Sequence, residues 1–292
     1  MRQDVWFGLS LDDFAGDAPA LLDRARRADD DGLDLVTIAD HPWLGDKLDA
    51  YATVGVVLGR TSRVRAAVNV TNLPTRPPAM LSRTVTTLSD LSGGRVVLGL
   101  GAGGSYPQIA RLGVDVVSPA AAVRAFEEAI TLIRALSGSG DPVTLAGVRD
   151  LAPAPAPAPP IWTGSVGPAS LAVTGRLADG WIPGHAADWR SARVARSRPI
   201  IDAAAVAAGR DPAAIATVYN LPGRITAEPL SATRDENGRW LGGSVRQWAD
   251  ELVTAVCAYG AGGFVIFPAD AETVRRWSTQ VVPLVRELML GR

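Results

Sequence analysis

Residues Val96–Ser105 read VVLGLGAGGS, and Phe264–Phe267 read FVIF. Each opens as a β-rich run that stays apolar at consecutive positions instead of alternating. A strand covered on both faces shows this pattern, as in a parallel sheet flanked by helices. Outward from VVLGL, the strand candidates are Val5–Leu9, Leu35–Ala39, Val64–Val70, Val96–Gly99, Ile161–Thr163, Trp181–Ile182, Ala216–Tyr219 and Phe264–Phe267. Helical spacing fills the intervals: Leu81, Val85 and Leu88; Val123, Phe126, Ile130 and Ile133; Val245, Trp248, Leu252 and Val256. Ser244 and Gln247 form a capping-box pair at the start of the last of these helices. Repeated βα units from end to end predict an α/β chain closed into a (β/α)₈ TIM barrel, a single domain over residues 1–292. An open doubly wound sheet is the alternative.

Two segments break the alternation. LAPAPAPAPP (Leu151–Pro160) must be extended, because each proline fixes its own φ and pushes its predecessor out of the helical region. It reads as a stiff surface spacer before the fifth strand. Pro222–Gly243 is a polar loop insertion after strand seven with a turn signal at Asn237-Gly238, either a lid or a small hairpin.

Apolar residues make up 47% of the 292, enough for a large core, and the net charge is −1. Nothing in that balance draws the chain to nucleic acid or to an anionic membrane. No stretch approaches the ~18 uninterrupted apolar residues of a membrane span. The N-terminal MRQDVWFGLSLDDFAGD reaches acids too soon for a signal peptide. Cys257 is the single cysteine, which rules out an internal disulfide and suits a reducing cytoplasm; its expected place is a helix interior.

In a parallel barrel, chemistry gathers where strands end at their C-termini. Those ends carry Ser10, Asp40-His41, Thr71-Asn72, Gly101-Ala102-Gly103-Gly104, Gly164-Ser165-Val166-Gly167, Gly184-His185, Asn220 and Pro268. Asp40 is the one acid among them, which argues against a metal site and against paired carboxylates. The sole lysine, Lys47, lies in or near the second helix, which argues against Schiff-base chemistry. Glycines at 99, 101, 103 and 104 would let backbone approach a flat or anionic ligand, with tight turns as the structural alternative. GSVGP (Gly164–Pro168) is the better anion site, since a proline at a helix start leaves free N–H groups and the positive dipole end pointing outward. Neither cluster is a dinucleotide fingerprint, because no acid stands at the strand end where a ribose would need it. His41 is placed to donate a proton or hold developing negative charge near neutral pH, with Asp40 fixing its tautomer or facing the barrel interior; a structural histidine is the alternative. Trp43 and Tyr106 are candidate walls for a planar ligand, and His185 is a further substrate-side candidate.

LDLVTIADHP, VNVTNLPTRPPAMLSRTVTTLSDLSGGRVVLGLGAG, PIWTGSVGPASLAVTGRLADGWIPG and YGAGGFVIFP occur here in that order. Together they resemble the luciferase-like monooxygenase superfamily over nearly the whole chain, most closely its deazaflavin-dependent branch. The resemblance implies a barrel that binds coenzyme F-420 or, alternatively, FMN in its mouth, often as a homodimer. It implies that Asp40 and His41 match the acid–histidine pair of strand two, and that Val70, Thr71 and Asn72 border the ring beside a bulge with a cis peptide at Asn69–Val70. It further places Gly101, Ala102, Gly103 and Gly104 beside the ring, with Gly164, Ser165, Val166 and Gly167 at the phosphate and Gly184 nearby. Two departures stand out: relatives often read Arg-His-Pro where this chain has Arg76-Pro77-Pro78, and the family's glucose-6-phosphate dehydrogenases carry glutamate at Gly104. The second makes a sugar phosphate an unlikely substrate. The implied activity is hydride transfer between coenzyme F-420 and a small organic substrate, with His41 as the catalytic residue, either proton donor or ring-side stabiliser. The alternatives are an FMN-dependent monooxygenase using O₂ and a non-catalytic flavin-binding protein.

Overall fold

A computed structural model describes residues 5–11, 16–184, 187–267 and 270–291. The strands are β1 (Trp6–Ser10), β2 (Leu35–Ile38), β3 (Arg65–Asn72), β4 (Val96–Gly101), β5 (Val143–Leu145), β6 (Val148–Leu151), β7 (Ile161–Thr163), β8 (Gly180–Trp181), β9 (Ala216–Leu221), β10 (Arg224–Thr226), β11 (Gly242–Ser244) and β12 (Ala261–Ile266). The helices are α1 (Ala18–Asp30), α2 (Ala50–Arg60), α3 (Pro78–Ser92), α4 (Tyr106–Ala110), α5 (Pro119–Ala135), α6 (Pro168–Leu177), α7 (Ala192–Ala207), α8 (Val245–Tyr259), α9 (Ala271–Arg276) and α10 (Val282–Leu290). Strands β1, β2, β3, β4, β7, β8, β9 and β12 pair in parallel in that order, and β12 returns to β1. The closed (β/α)₈ barrel expected from the sequence is thus present, and the open sheet is excluded.

Side-chain parity explains why the strands read as continuous apolar runs. Along β2, Leu35 points inward and Val36 and Ile38 pack outward under the helices; Ala67, Val97, Val218 and Val265 point inward on their own strands. Inner and outer positions are both apolar, so period two is invisible in the sequence. The interior changes character along its length. The inward sequence Leu35, Thr37 on β2, Ala67, Asn69 on β3 and Val218, Asn220 on β9 runs from apolar base to polar mouth. Asn69 Nδ2 donates to Asn220 Oδ1 across the barrel at 2.9 Å.

Several expectations need correction. β12 begins at Ala261 rather than Phe264, because Gly263 pairs with both Trp6 and Val218 although glycine carries no strand propensity. An antiparallel hairpin, β5–β6, precedes the proline-rich stretch; it turns through Ala146 (φ 50°) and Gly147 (φ 83°). Leu151 belongs to it. The stretch after it is no free spacer, since the Ala154 N–H donates to Leu136 O at 2.9 Å. Cys257 is exposed, not interior, because α8 buries Trp248, Leu252 and Ala255 on the opposite face. The Ser244–Gln247 capping box is formed in full. The Pro222–Gly243 insertion contains β10 and β11 and a bridge between Arg234 and Trp240 around the Asn237-Gly238 turn. It is hairpin-like and contributes no described residue to the mouth pocket.

Candidate active site

The C-terminal mouth of the barrel holds a pocket of about 670 Å³. It brings together His41, Asp40 and Trp43 after β2; Val70, Thr71 and Asn72 of β3; Gly101, Ala102, Gly103, Gly104 and Tyr106 after β4; Gly164, Ser165, Val166 and Gly167 after β7; and Gly184 after β8. Every residue assigned from the sequence to catalysis, cofactor or substrate lines it except His185, which, like the strand-end Pro268, lies outside the described residues; Ser10 and Gly99, also singled out, do not line it. Asn69, Asn220, Ile182 and Ser170 also line it, and were not singled out as ligand contacts. Asn220 was visible as a strand end; Asn69 was not, because it precedes the expected strand end.

Local structure explains the glycines. The peptide Asn69–Val70 is cis, and the β3–β4 register shifts between Val68 and Thr71. That bulge drives Val70 toward its neighbours. A Cβ on Gly101 or on Gly164 would lie 3.0 Å from Val70 Cγ2, and one on Gly99 would lie 2.1 Å from Val68 O. These three glycines make room for the chain's own strand, so the ligand-clearance explanation does not hold for them. Gly104 and Gly167 are different: a Cβ at Gly104 meets nothing within 4 Å, and one at Gly167 meets just Ser170 Oγ at 3.9 Å. Both open onto the pocket.

The β7–α6 loop is held from behind. Trp181 Nε1 donates to Ser165 O (2.9 Å), and the Thr174 hydroxyl lies 2.9 Å from Ser165 Oγ. At its end, Gly167 caps α6 with no side-chain acceptor, and Pro168 follows at the first helical position. Among the described residues no side chain caps the first turn of α6, which therefore presents its N–H groups and positive dipole end to the pocket. A phosphate fits there.

Asp40 does not serve His41. Arg76 donates through Nη2 to Asp40 Oδ1 (2.8 Å) and through Nε to Oδ2 (3.2 Å), and the Asn72 N–H donates to Oδ2 (2.9 Å). The expectation that Asp40 fixes the His41 tautomer is corrected by this: Asp40 is turned inward, and its oxygens braced to β3. Arg76 also reaches Asp49 (2.9 Å) and lies 4.7 Å from the Tyr51 ring centroid. Burial acts to lower the Arg76 pKa, but its two carboxylate partners outweigh that and hold it above the usual value. The Tyr51 hydroxyl shares a 2.6 Å hydrogen bond with Thr71 Oγ1, and burial drives its pKa up, so the phenol stays protonated. Among the described residues Asn72 Oδ1 is buried with no partner, an unpaired polar atom in the pocket wall. His41 itself is exposed at the rim and packs on Trp43 at 5.1 Å between centroids. Among the described residues, no group of three or more His, Cys, Asp or Glu is placed to hold a metal ion, and no helix is long and apolar enough to cross a membrane.

The barrel mouth thus joins the open start of α6 to His41 in the loop after β2, and comparison with known proteins gives the class. Residues 8–253 match the family described as luciferase-like monooxygenase, and the chain belongs to that family. It is 36% identical over 202 residues to a phthiodiolone/phenolphthiodiolone dimycocerosates ketoreductase of Mycobacterium tuberculosis, covering 61% of this chain and 51% of that protein. It is 33% identical over 174 residues to an F420-dependent glucose-6-phosphate dehydrogenase of Nakamurella multipartita, covering 56% and 51%. The match thus spans about half the length of these relatives. The fold is shared with a coenzyme F420 dependent tetrahydromethanopterin reductase from Methanopyrus kandleri at a TM-score of 0.77 and 19% identity, covering 96% of this chain and 99% of that one.

Proposed function

We propose that this chain is an oxidoreductase that binds coenzyme F-420 in the mouth pocket and transfers a hydride between it and a small organic substrate. The observation that carries this reading is the open, uncapped start of α6 beside a glycine-walled pocket whose rim bears His41. The residues present fit the cofactor: Gly164–Gly167 and the first turn of α6 would hold its phosphate, and Val70–Asn72 with Gly101–Gly104 would border its ring. A bound deazaflavin supplies a hydride and, with carbon in place of flavin's reactive nitrogen, activates oxygen poorly. Support for a deazaflavin over FMN comes from relatives named as F420-dependent. His41 would give or hold the proton at the rim, where a substrate oxygen can reach it. Asp40, braced by Arg76, keeps the end of β3 in place.

Titration of the purified protein with F-420 and with FMN, followed by cofactor fluorescence, tests this directly. F-420 should bind at least about tenfold more tightly, roughly 1.4 kcal/mol. Gly167→Asp should abolish most of that affinity without changing the unfolding midpoint, because a carboxylate would meet the phosphate at the helix start. Equal or tighter FMN binding would turn the reading to a flavin monooxygenase. An unaffected Gly167→Asp variant would remove the phosphate from α6. His41→Ala should lower turnover by about 10²–10⁴-fold while cofactor affinity changes far less, and undiminished turnover would strip His41 of its acid role.

A further inference from the structure

We infer that the substrate of this site is uncharged and carries an extended apolar group that lies on the rim of the mouth; this rests on the pocket being the active site. Two independent features point there. The first is electrostatic. Among the described residues no lysine or arginine lines the pocket, and the one carboxylate in its wall, Asp40, is already matched by Arg76. The Arg76 guanidinium is itself consumed by Asp40, Asp49 and the Tyr51 face. A carboxylate or phosphate on the substrate would lose water here and meet no lysine or arginine in the described wall, with the single imidazole of His41 as the one basic side chain in it. The uncapped start of α6 is the anion cradle in the described wall, and on the reading above the cofactor phosphate takes it.

The second feature is the rim. Leu44, Leu112, Val116, Val117 and Val166 stand between 41% and 57% exposed. They lie on the three loops that also supply Trp43, Tyr106, Pro119 and Gly164–Gly167 to the pocket wall. Other exposed large apolar side chains, such as Leu91 and Leu290, sit on α3 and α10 and do not line the mouth pocket. Val166 lines the pocket itself, Leu44 follows the lining residue Trp43, and Val116 and Val117 lie within three residues of the lining residue Pro119, so exposed apolar side chains recur beside the cavity wall, as at a binding surface. An aliphatic tail lying there would be removed from water, and each buried methylene contributes about 0.8 kcal/mol, close to a fourfold gain in affinity.

The test is a series of straight-chain methyl ketones from 2-butanone to 2-nonanone, with binding read by calorimetry on the full chain saturated with oxidised F-420, which fills the start of α6 and has no hydride to give the ketone. F-420 fluorescence, measured separately, reports on the cofactor, so that a failure there is distinguished from a failure here. Affinity should rise about threefold to fourfold per methylene. A keto acid of equal length should bind at least tenfold more weakly than the ketone. Leu112→Gln combined with Val116→Ser, both at exposed positions, should flatten the chain-length slope. A flat series, or a keto acid that binds as well as the ketone, would overturn the inference. So would a double variant that keeps the slope but changes the sedimentation of the protein, since the rim would then be a contact between copies of this chain.

Discussion

A methyl group added at Gly99 would sit 2.1 Å from the Val68 carbonyl oxygen, whereas one added at Gly104 would touch nothing. Two glycines five residues apart therefore answer to different causes, and a sequence cannot separate them. The bulge that crowds Gly99 is set by register between β3 and β4, which no local pattern in VVLGLGAGG records. Gly99→Ala should cost about 3 kcal/mol or more, because backbone rather than a flexible side chain must yield. Gly104→Ala should stay within about 0.5 kcal/mol. Urea midpoints for the two variants check this, and similar losses at both positions would contradict the assignment. His41 shows the opposite case: its place at a strand end was legible from VTIADH alone. Its relation to Asp40 was not, because the partner that claims Asp40 lies 36 residues away at Arg76.

At the scale of elements, the chain reads well where one helix face or one strand run decides the outcome, as at Ser244–Gln247 or Val96–Leu100. It reads poorly where an element is anchored by distant polar partners. Asp29, at the end of α1, accepts from the N–H groups of Ser62, Arg63 and Val64 just before β3, with distances of 2.6–2.8 Å. Burial alone would raise its pKa, but these N–H groups and the Ser62 hydroxyl outweigh it and hold the carboxyl below its ordinary value of 3.8. The native state thus binds fewer protons at Asp29 than the unfolded chain does. The stabilisation is complete above 3.8 and is lost as pH falls through the lower folded value. Asp29→Asn should cost roughly 2–3 kcal/mol at neutral pH, since one amide oxygen cannot serve every donor. The gap between variant and parent should narrow in urea titrations carried down toward about pH 3. A gap that stays constant with pH would show that Asp29 is held by packing instead.

Across the whole molecule, one side chain joins three parts of the chain that the sequence keeps far apart. Arg234, in the insertion after β9, pairs with Asp188 before α7 and with Glu251 on α8, both at 2.6 Å. Its guanidinium also lies 5.8 Å and 5.6 Å from the ring centroids of Trp189 and Trp240, and Trp189 packs edge-on against Tyr219 and Phe264 of the barrel. The insertion is therefore tied to the segment before α7 and to α8 through a partly buried ion network. From sequence alone it was a polar loop with a turn at Asn237-Gly238, because charge partners separated by 46 and 17 residues leave no periodic trace. Arg234→Met should leave Asp188 without its guanidinium partner, while Glu251 keeps Arg190 at 3.2 Å, so the loss should fall at the lower end of the range for a broken buried pair, about 3 kcal/mol. Adding Asp188→Asn and Glu251→Gln to that variant should recover part of the loss, since the uncompensated charge at Asp188 is then gone. Limited proteolysis should cut the single variant between about residues 227 and 241 well before the barrel unfolds, and the triple variant more slowly. If the single variant resists cleavage as the parent does, the aromatic contacts of Trp240 with Trp248, 4.9 Å apart, suffice to hold the insertion and the ion network is incidental to it.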